Sequence, residues 1–586
     1  MRNAVPDYGS PSESCWANRQ GFAAFGTVQP GTSSRTGKAL AEDEQSEVVC
    51  LVDGIVYSSK STGDDTCATI DSARYLLEEY LEQGVDCLTS VHGNFLVAWW
   101  EEKKRRLVLA NDRIGQTLLF FKSRAGKFTF GSMLARVTAV SGPPAETEID
   151  GFSDLLTFGF VLDRKTLFRD VYTLPPASCL VCENGKTSIS TYWRLDQIEP
   201  RSGYDENRLD ELAHTFRGAV RRAIPPGETT SIGLTGGLDS RVILAAATAD
   251  RLRVSTYTGG FHDSTDVKLA KMLADLTDTK HVFRSIGPEH LAEWLEPMVR
   301  LQGGIVATLH SHPCNTLFAK KVDQARIQGI GGEYVRGFWI PGRYQGSAAS
   351  GKANQFLFDR MVGSARKNYL NDIWRPEYAE MGISRSRERL TRLVDSYACP
   401  DDPVARIHYV YLHERCRKIL NKAVIISRNR MGVYLPYLDF EWIRVVSEIP
   451  MGERISNTIQ IDLIRRLAPE LLDVPYSKDL LPLSTPDWKR RLVTQYRRLV
   501  RKVNNLTGLN VHSFPVIENH KYKEWIRDEM RETLTELLYS PDAAYRQYLR
   551  PDQIGDRLDQ HFSGKRNFEH LISALAVYEV AHRIFR

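Results

Sequence analysis

Between Ser231 and Arg241 an apolar strand runs into two glycines and straight on into the apolar helix Val242 to Ala249, as Ser231-Ile232-Gly233-Leu234-Thr235-Gly236-Gly237-Leu238-Asp239-Ser240-Arg241. This joint has the form of a phosphate site. Glycines let the backbone approach an anion with no Cβ in the way, the first N–H groups of the helix point at it, and the helix dipole favours negative charge there. Leu234, Thr235, Gly236 and Gly237 form the cradle, and the Ser240 hydroxyl donates to a phosphate oxygen. A carboxylate beside bound phosphates repels them unless it carries a cation, so Asp239 reads as a magnesium ligand. The lysine of a Walker A loop is absent, which disfavours a kinase or P-loop ATPase.

The chain has 586 residues, 42% hydrophobic and 25% charged, enough apolar material for more than one core. The net charge of +5 is small for this length and the basic residues are scattered, so neither nucleic acid nor membrane is expected as a partner. Nine cysteines, an odd number spread along the chain, argue for a reducing compartment rather than a disulfide framework. Cys179 and Cys182 sit on one expected strand with no second pair nearby, and read as core thiols rather than zinc ligands. No apolar signal core opens the sequence and no run is long enough to span a bilayer, so the expectation is a soluble, cytoplasmic protein, with a homodimer as the form of any self-association.

The loop resembles the S-G-G-x-D-S pyrophosphate loop of the N-type ATP pyrophosphatases, with Thr235 in the first serine position. Members of that group split ATP between the α and β phosphates, so the resemblance implies adenylation of a substrate with ATP and Mg2+. Upstream, residues 1–20 are expected to be flexible and the first ordered strand to begin near Gly21. The β-rich stretch that follows carries Gly93-Asn94-Phe95-Leu96-Val97-Ala98-Trp99-Trp100, then Asn111-Asp112-Arg113-Ile114-Gly115-Gln116-Thr117, and Ala73 to Gln83 reads as a helix. These segments look like the N-terminal glutamine amidotransferase domain of asparagine synthetases. A glutaminase of that type needs an N-terminal cysteine whose α-amino group is the base for its own thiol. Met1 is followed here by Arg2, and Cys15 is followed by Trp16 where the family has glycine. The domain is therefore expected to be a scaffold, with the amine supplied from a source other than glutamine.

After the phosphate loop the chain alternates strand and helix, the pattern of a parallel sheet covered on both faces, with ligands at the carboxyl ends of the strands. Leu252 to Thr258 ends in Gly259-Gly260, and Gly259 is placed against adenine or ribose. Asp266 reads as an N-cap and His310 and His312 as structural histidines. Arg326 to Ile330 runs into Gly331-Gly332-Glu333, which resembles the family's G-E-G-x-D-E-x-F-x-G segment. Gly331 and Gly332 join the ATP contacts, and Glu333 becomes the second metal ligand opposite Asp239. Ile330 stands where the family has an acidic or tyrosine residue, so acid–base work must come from elsewhere.

Pro436-Tyr437-Leu438-Asp439 matches the family's R-x-P-F-L-D signature, with Tyr434 in place of the arginine. On an α-helix Tyr411, Glu414, Arg415 and Lys418 share a face. By resemblance to β-lactam synthetases, Glu414 is the expected base, against the alternative of an ion pair with Lys418. Lys478 falls where the family places a lysine that meets pyrophosphate, a fixed ammonium where negative charge grows. Beyond residue 485 basic amphipathic helices are expected, with a solvated basic face from Lys489 to Lys502.

The chain is thus identified as an asparagine synthetase-like (asparagine synthase B family) ligase, closest in logic to β-lactam and lasso-peptide macrolactam synthetases. The expected fold class is α/β. An N-terminal Ntn-type αββα glutaminase-like domain (21–145) and linker strands (146–205) precede an adenine nucleotide α-hydrolase-like PP-loop domain (206–485) and a helical region (486–586). The expected substrates are a carboxylate and an amine, small molecules or peptides. A PP-loop nucleic-acid modifying enzyme and a non-catalytic relative are the rival readings; the first should carry a basic RNA platform or a catalytic cysteine pair, and neither is evident.

Overall fold

A computed structural model describes residues 12–18, 23–29, 39–57, 71–124, 126–144, 146–201, 203–224, 230–307, 309, 325–337, 350–397, 403–428, 430–507 and 516–586. His310 and His312 lie outside these residues. The first described strand is β1 (Ser12–Ala17), antiparallel to β2 (Ala24–Gln29). Ordered structure therefore starts inside the stretch expected to be flexible, and Cys15 sits within a strand, opposite Gly26.

The N-terminal part is built on a six-stranded antiparallel sheet. Its strands are β3 (Leu40–Asp43), β4 (Val48–Tyr57), β5 (His92–Glu101), β6 (Arg106–Asn111), β10 (Ser178–Glu183) and β11 (Lys186–Thr191), in the order β11-β10-β6-β5-β4-β3. Alternation along β4 decides what each face meets. Val48, Cys50 and Val52 join Ala73, Leu76, Leu77 and Tyr80 of helix α1 (Ser72–Gln83) in one core. Val49 and Leu51 point the other way, into a core shared with Leu119, Phe121 and Leu174. That second core lies against a three-stranded sheet, β8-β7-β9, formed by β7 (Phe120–Arg124), β8 (Lys127–Gly131) and β9 (Val171–Thr173). Helix α2 (Leu134–Ser141) covers its far side, giving the expected αββα layering. Cys179 is buried in the first core, where desolvation pushes its thiol up to about 11, as befits a packed rather than reactive sulfur.

Helix α3 (Ile149–Phe158) and the linker lead to helix α4 (Glu206–Arg222), whose apolar side is buried as its periodicity requires. The second sheet is wholly parallel. Its order is β14-β13-β12-β15-β16, from β12 (Thr230–Gly233), β13 (Val254–Gly260), β14 (Lys280–Ser285), β15 (Arg326–Ile327) and β16 (Val433–Tyr434). Helices α5 (Leu238–Ala249), α6 (Thr265–Leu276) and α7 (Leu291–Gln302) alternate with these strands. Order reverses on either side of β12, so the loop leaving β12 opens at the switch point of the sheet.

The two halves share buried material. Residues 411–420 form a π-helix whose Arg417 donates to the carbonyls of Gly115 (3.0 Å) and Leu174. Asn421 donates to the Gln116 carbonyl, and Arg428 reaches Thr117 Oγ1 at 3.0 Å. Gly115 has φ +63°, and a Cβ there would stand 2.9 Å from Arg417 Nε, so this turn needs glycine for both conformation and space.

The helix Asp487–Thr507 exposes Lys489, Arg491 and Arg498 as a solvated basic face would, but departs from that expectation elsewhere. Arg490 and Arg497 turn inward, to the carboxylate and carbonyl of Asp479, while Trp488, Leu492, Tyr496 and Leu499 are exposed. The ion pair to Asp479 fixes the helix's rotation, which amphipathicity read from sequence does not register. No helix among the described residues is long and apolar enough to cross a membrane.

Candidate active site

β12 ends at Gly233, and Gly237 is the N-cap of α5, so the N-terminal N–H groups of the helix face the turn between them. The turn is internally braced. Thr235 N donates to Ser240 Oγ at 3.1 Å, and Gly237 N to Thr235 Oγ1 at 3.2 Å. Gly236 N donates to Asp266 Oδ1 at 3.0 Å, and Asn519 Nδ2 to Asp266 Oδ2 at 3.2 Å. Asp266 therefore is not the N-cap the sequence suggests. Ser264 holds that position, and the Asp266 carboxylate reaches across to the phosphate loop instead. Gly236 cannot carry a side chain, since a Cβ would meet Leu269 Cδ1 at 2.5 Å and Ser477 Cβ at 2.9 Å.

Arg241, wholly buried one residue after Ser240, ties this loop to the segment bearing Lys478. Its guanidinium donates to the carbonyls of Val474 (2.8 Å), Pro475 (2.9 Å), Leu471 (3.1 Å) and Gly236 (3.3 Å). Ser477 N adds a bond to Gly236 O at 3.1 Å. Five-donor planar geometry suits arginine to gathering carbonyls from two segments. Nothing in the local sequence marks Arg241 for this role, since three of its four partners lie more than 200 residues away.

The charged cluster forms around Asp239. Its Oδ2 accepts from Arg336 at 3.2 Å and its Oδ1 from Gln460 Nε2 at 2.7 Å. Burial raises the Asp239 carboxyl above its usual range, with Glu333 adding to the rise and Arg336, Gln460 and Lys478 opposing it. Glu333 accepts from the Tyr411 hydroxyl at 2.9 Å. Desolvation lowers the Lys478 ammonium and Arg336 adds to this, while Asp239 and Glu333 pull the other way. Asp239, Glu333 and Lys478 thus share one electrostatic neighbourhood. Gly331 (φ +94°) turns the chain beneath Leu438, and Gly332 leaves room for the Asp239 carboxylate, since a Cβ there would stand 2.5 Å from its Cγ. Gly259, next to last in β13, has Ile286 where a side chain would go.

The 436–439 signature supports the site from behind. The Tyr437 hydroxyl donates to the Asp239 carbonyl at 3.1 Å. Asp439 caps the helix Phe440–Ser447 through Glu441 N and Trp442 N and pairs with Arg222 at 2.9 Å.

Glu414 is not brought to this cluster. Its carboxylate is buried and takes Lys418 Nζ at 2.8 Å, the Tyr397 hydroxyl at 2.9 Å and Asp163 N at 3.1 Å, and Lys418 also donates to Val161 O and Asp163 O. The π-helical turn is wider than an α-turn, so Tyr411 and Glu414 do not share the face an α-helix gives them. Tyr411 meets Glu333, whereas Glu414 and Lys418 hold the linker.

Residues 47–193 match the glutamine amidotransferase domain family and residues 211–476 the asparagine synthase family. The chain is asparagine synthetase-like. Two relatives carry the same kind of name. Asparagine synthetase (glutamine-hydrolyzing) 3 of Bacillus subtilis (strain 168) is 26% identical over 242 residues, 41% of this chain and 37% of that protein. A putative asparagine synthetase (glutamine-hydrolyzing) of Mycobacterium bovis is 23% identical over 448 residues, 68% of each chain. The match to the Bacillus protein thus spans little more than a third of that protein's length. Among solved structures, glutamine phosphoribosylpyrophosphate amidotransferase from B. subtilis matches with a TM-score of 0.20 and 11% identity, covering 44% of this chain and 51% of that one, too low to bear on the fold. The asparagine synthase match in this asparagine synthetase-like chain covers the parallel sheet, the phosphate loop, Glu333 and the 436–439 signature.

Proposed function

We propose that this asparagine synthetase-like protein adenylates a carboxylate, releases pyrophosphate and transfers the acyl group to an amine in specialised metabolite or peptide biosynthesis, without glutamine as the nitrogen donor. The observation that carries it is the convergence of Asp239, Glu333 and Lys478 at a braced Gly-Gly loop on the switch point of a parallel sheet. The N–H groups of the first turn of α5 and the Ser240 hydroxyl receive the phosphates, and Lys478 steadies the negative charge that grows as pyrophosphate leaves. Magnesium would be held by Asp239 and Glu333 and would neutralise the phosphate oxygens. Two carboxylates suit it, because Mg2+ completes its shell with water and substrate phosphates, and among the described residues no third metal-ligating side chain joins them.

Glutamine independence is supported by Trp16, which follows Cys15 where the glutaminase family has glycine. The test is ATP–pyrophosphate exchange with a panel of carboxylic acids, followed by product formation with free amines and with glutamine. Exchange that depends on one acid, with amide formed from a free amine and no ammonia released from glutamine, is the expected result. Ammonia release would overturn the second half of the proposal, and exchange with no acid would favour the non-catalytic reading.

Removal of a proton from the attacking amine falls, in this reading, to Tyr411 and Glu333 once the Glu333 carboxylate no longer holds the metal, the hydroxyl taking the proton while passing its own to the carboxylate. Tyr411→Phe is expected to keep pyrophosphate exchange and to slow amide formation by about 10²- to 10⁴-fold, the usual contribution of a positioned acid–base group. Amide formation at the parent rate would remove the pair from this role.

A further inference from the structure

We propose that Arg336 is a resident counter-ion for Asp239 that is handed over to the nucleotide phosphates when the metal arrives, so that this protein binds a divalent cation well only together with ATP. The inference rests on the ligase site described above and adds a coupling between its two ligands.

The geometry is a closed ring of three side chains. Arg336 donates to Asp239 Oδ2 at 3.2 Å and to Gln460 Oε1 at 3.4 Å, and Gln460 Nε2 donates to Asp239 Oδ1 at 2.7 Å. Both oxygens of the expected metal ligand are therefore engaged by protein groups. Arg336 and Gln460 are buried, so neither bond is a passing surface contact. Arg336 stands three residues after Glu333, and the turn built on Gly331 and Gly332 is what points it back at Asp239.

Charge accounting gives the ring its consequence. Among the described residues, Asp239, Glu333, Arg336 and Lys478 interact as one group of two carboxylates and two cations, which sum to zero. A neutral cluster has little long-range pull on a free dication, and a cation that takes Asp239 alone strands a buried guanidinium beside it. A triphosphate changes both terms. Its oxygens accept the planar guanidinium in paired hydrogen bonds, which releases the Asp239 carboxylate to a metal that the same phosphates also hold. Each ligand thus improves the site for the other, and the effect must be reciprocal.

The experiment measures metal binding on the full chain with no acid, amine or turnover. Mn2+ binding is followed by the electron paramagnetic resonance of the free ion, with and without the non-hydrolysable ATP analogue AMPPCP, in the parent, Arg336→Met, Arg336→Lys and Arg336→Met/Asp239→Asn. The parent is expected to bind Mn2+ weakly alone and at least about tenfold more tightly with AMPPCP. Arg336→Met is expected to bind Mn2+ about tenfold more tightly than the parent without nucleotide, to lose most of the coupling, and to bind AMPPCP more weakly. The double variant should return to weak binding, because the gain comes from Asp239. Arg336→Lys keeps the charge and gives an intermediate gain, so the comparison survives if the methionine variant does not fold. Nucleotide-free Mn2+ binding unchanged in every folded Arg336 variant overturns the proposal. If instead coupling is seen but no acid supports pyrophosphate exchange, Arg336 keeps its role and the ligase reading is the one that fails.

Discussion

Asp239→Asn is expected to cut acid-dependent ATP–pyrophosphate exchange by at least about two to three powers of ten, the scale of losing one fixed charge or donor at a developing charge. The carboxylate lies at the start of α5, beside the phosphate loop and within the field of Lys478 and Glu333. Asparagine preserves the shape and keeps one acceptor oxygen for Arg336 or Gln460, sets its N–H2 against the other donor, and holds a dication poorly. The fold should survive, because the Asp239 side chain is only half-buried and the supporting bond from Tyr437 goes to its backbone carbonyl. Circular dichroism and a melting curve matching the parent, together with lost exchange, are the expected pair. Exchange at the parent rate would remove Asp239 from the chemistry and, with it, the strongest support for the adenylating mechanism.

Glu414→Gln is expected to act on stability rather than on the reaction. Glu414 and Lys418 are almost wholly buried, and their 2.8 Å pair lies between the π-helix and the linker at Val161 and Asp163. Burial already lowers the Lys418 ammonium, with the Glu414 carboxylate opposing this. Removing the carboxylate leaves a buried cation without its counter-charge, at a cost of about 3–5 kcal/mol. The denaturation midpoint should fall by an amount easily measured, while protein that remains folded keeps its pyrophosphate exchange. A variant as stable as the parent that exchanges pyrophosphate but forms no amide would instead return Glu414 to the role of base.

What the sequence discloses is governed by distance along the chain. The phosphate loop is legible because strand, glycines, Asp239 and helix are consecutive, and β4 is legible because its alternation repeats every two residues. Glu333 and Lys478 lie 94 and 239 positions after Asp239, and only the resemblance to a family points to them.

 They are legible from sequence through that resemblance alone, since no local pattern connects residues so far apart. Arg336, Gln460 and Arg241 leave no such trace, because each acts through a partner brought near only by the sheet and the helices packed on it. Glu414 takes the alternative partner weighed for it, Lys418, and stands apart from Tyr411 for a different reason. Face-sharing on a helix assumes the α-helical repeat, and residues 411–420 do not follow it. Asp266 was read as a cap because its sequence neighbours suggest one, whereas the acceptor it provides is for Gly236 on another element.

The bonds from Arg417, Asn421 and Arg428 into the turn at 115–117 bear on how the molecule comes apart. Separating the amidotransferase-like part from the sheet that follows it would expose buried guanidinium and amide groups and the carbonyls they satisfy, each costing about 1–3 kcal/mol when left without a partner in a buried setting. The seam is therefore part of the interior of both halves rather than a surface between them. Heating should melt the two halves in one calorimetric transition, and neither half cut out at the linker inherits the stability it has in the whole chain.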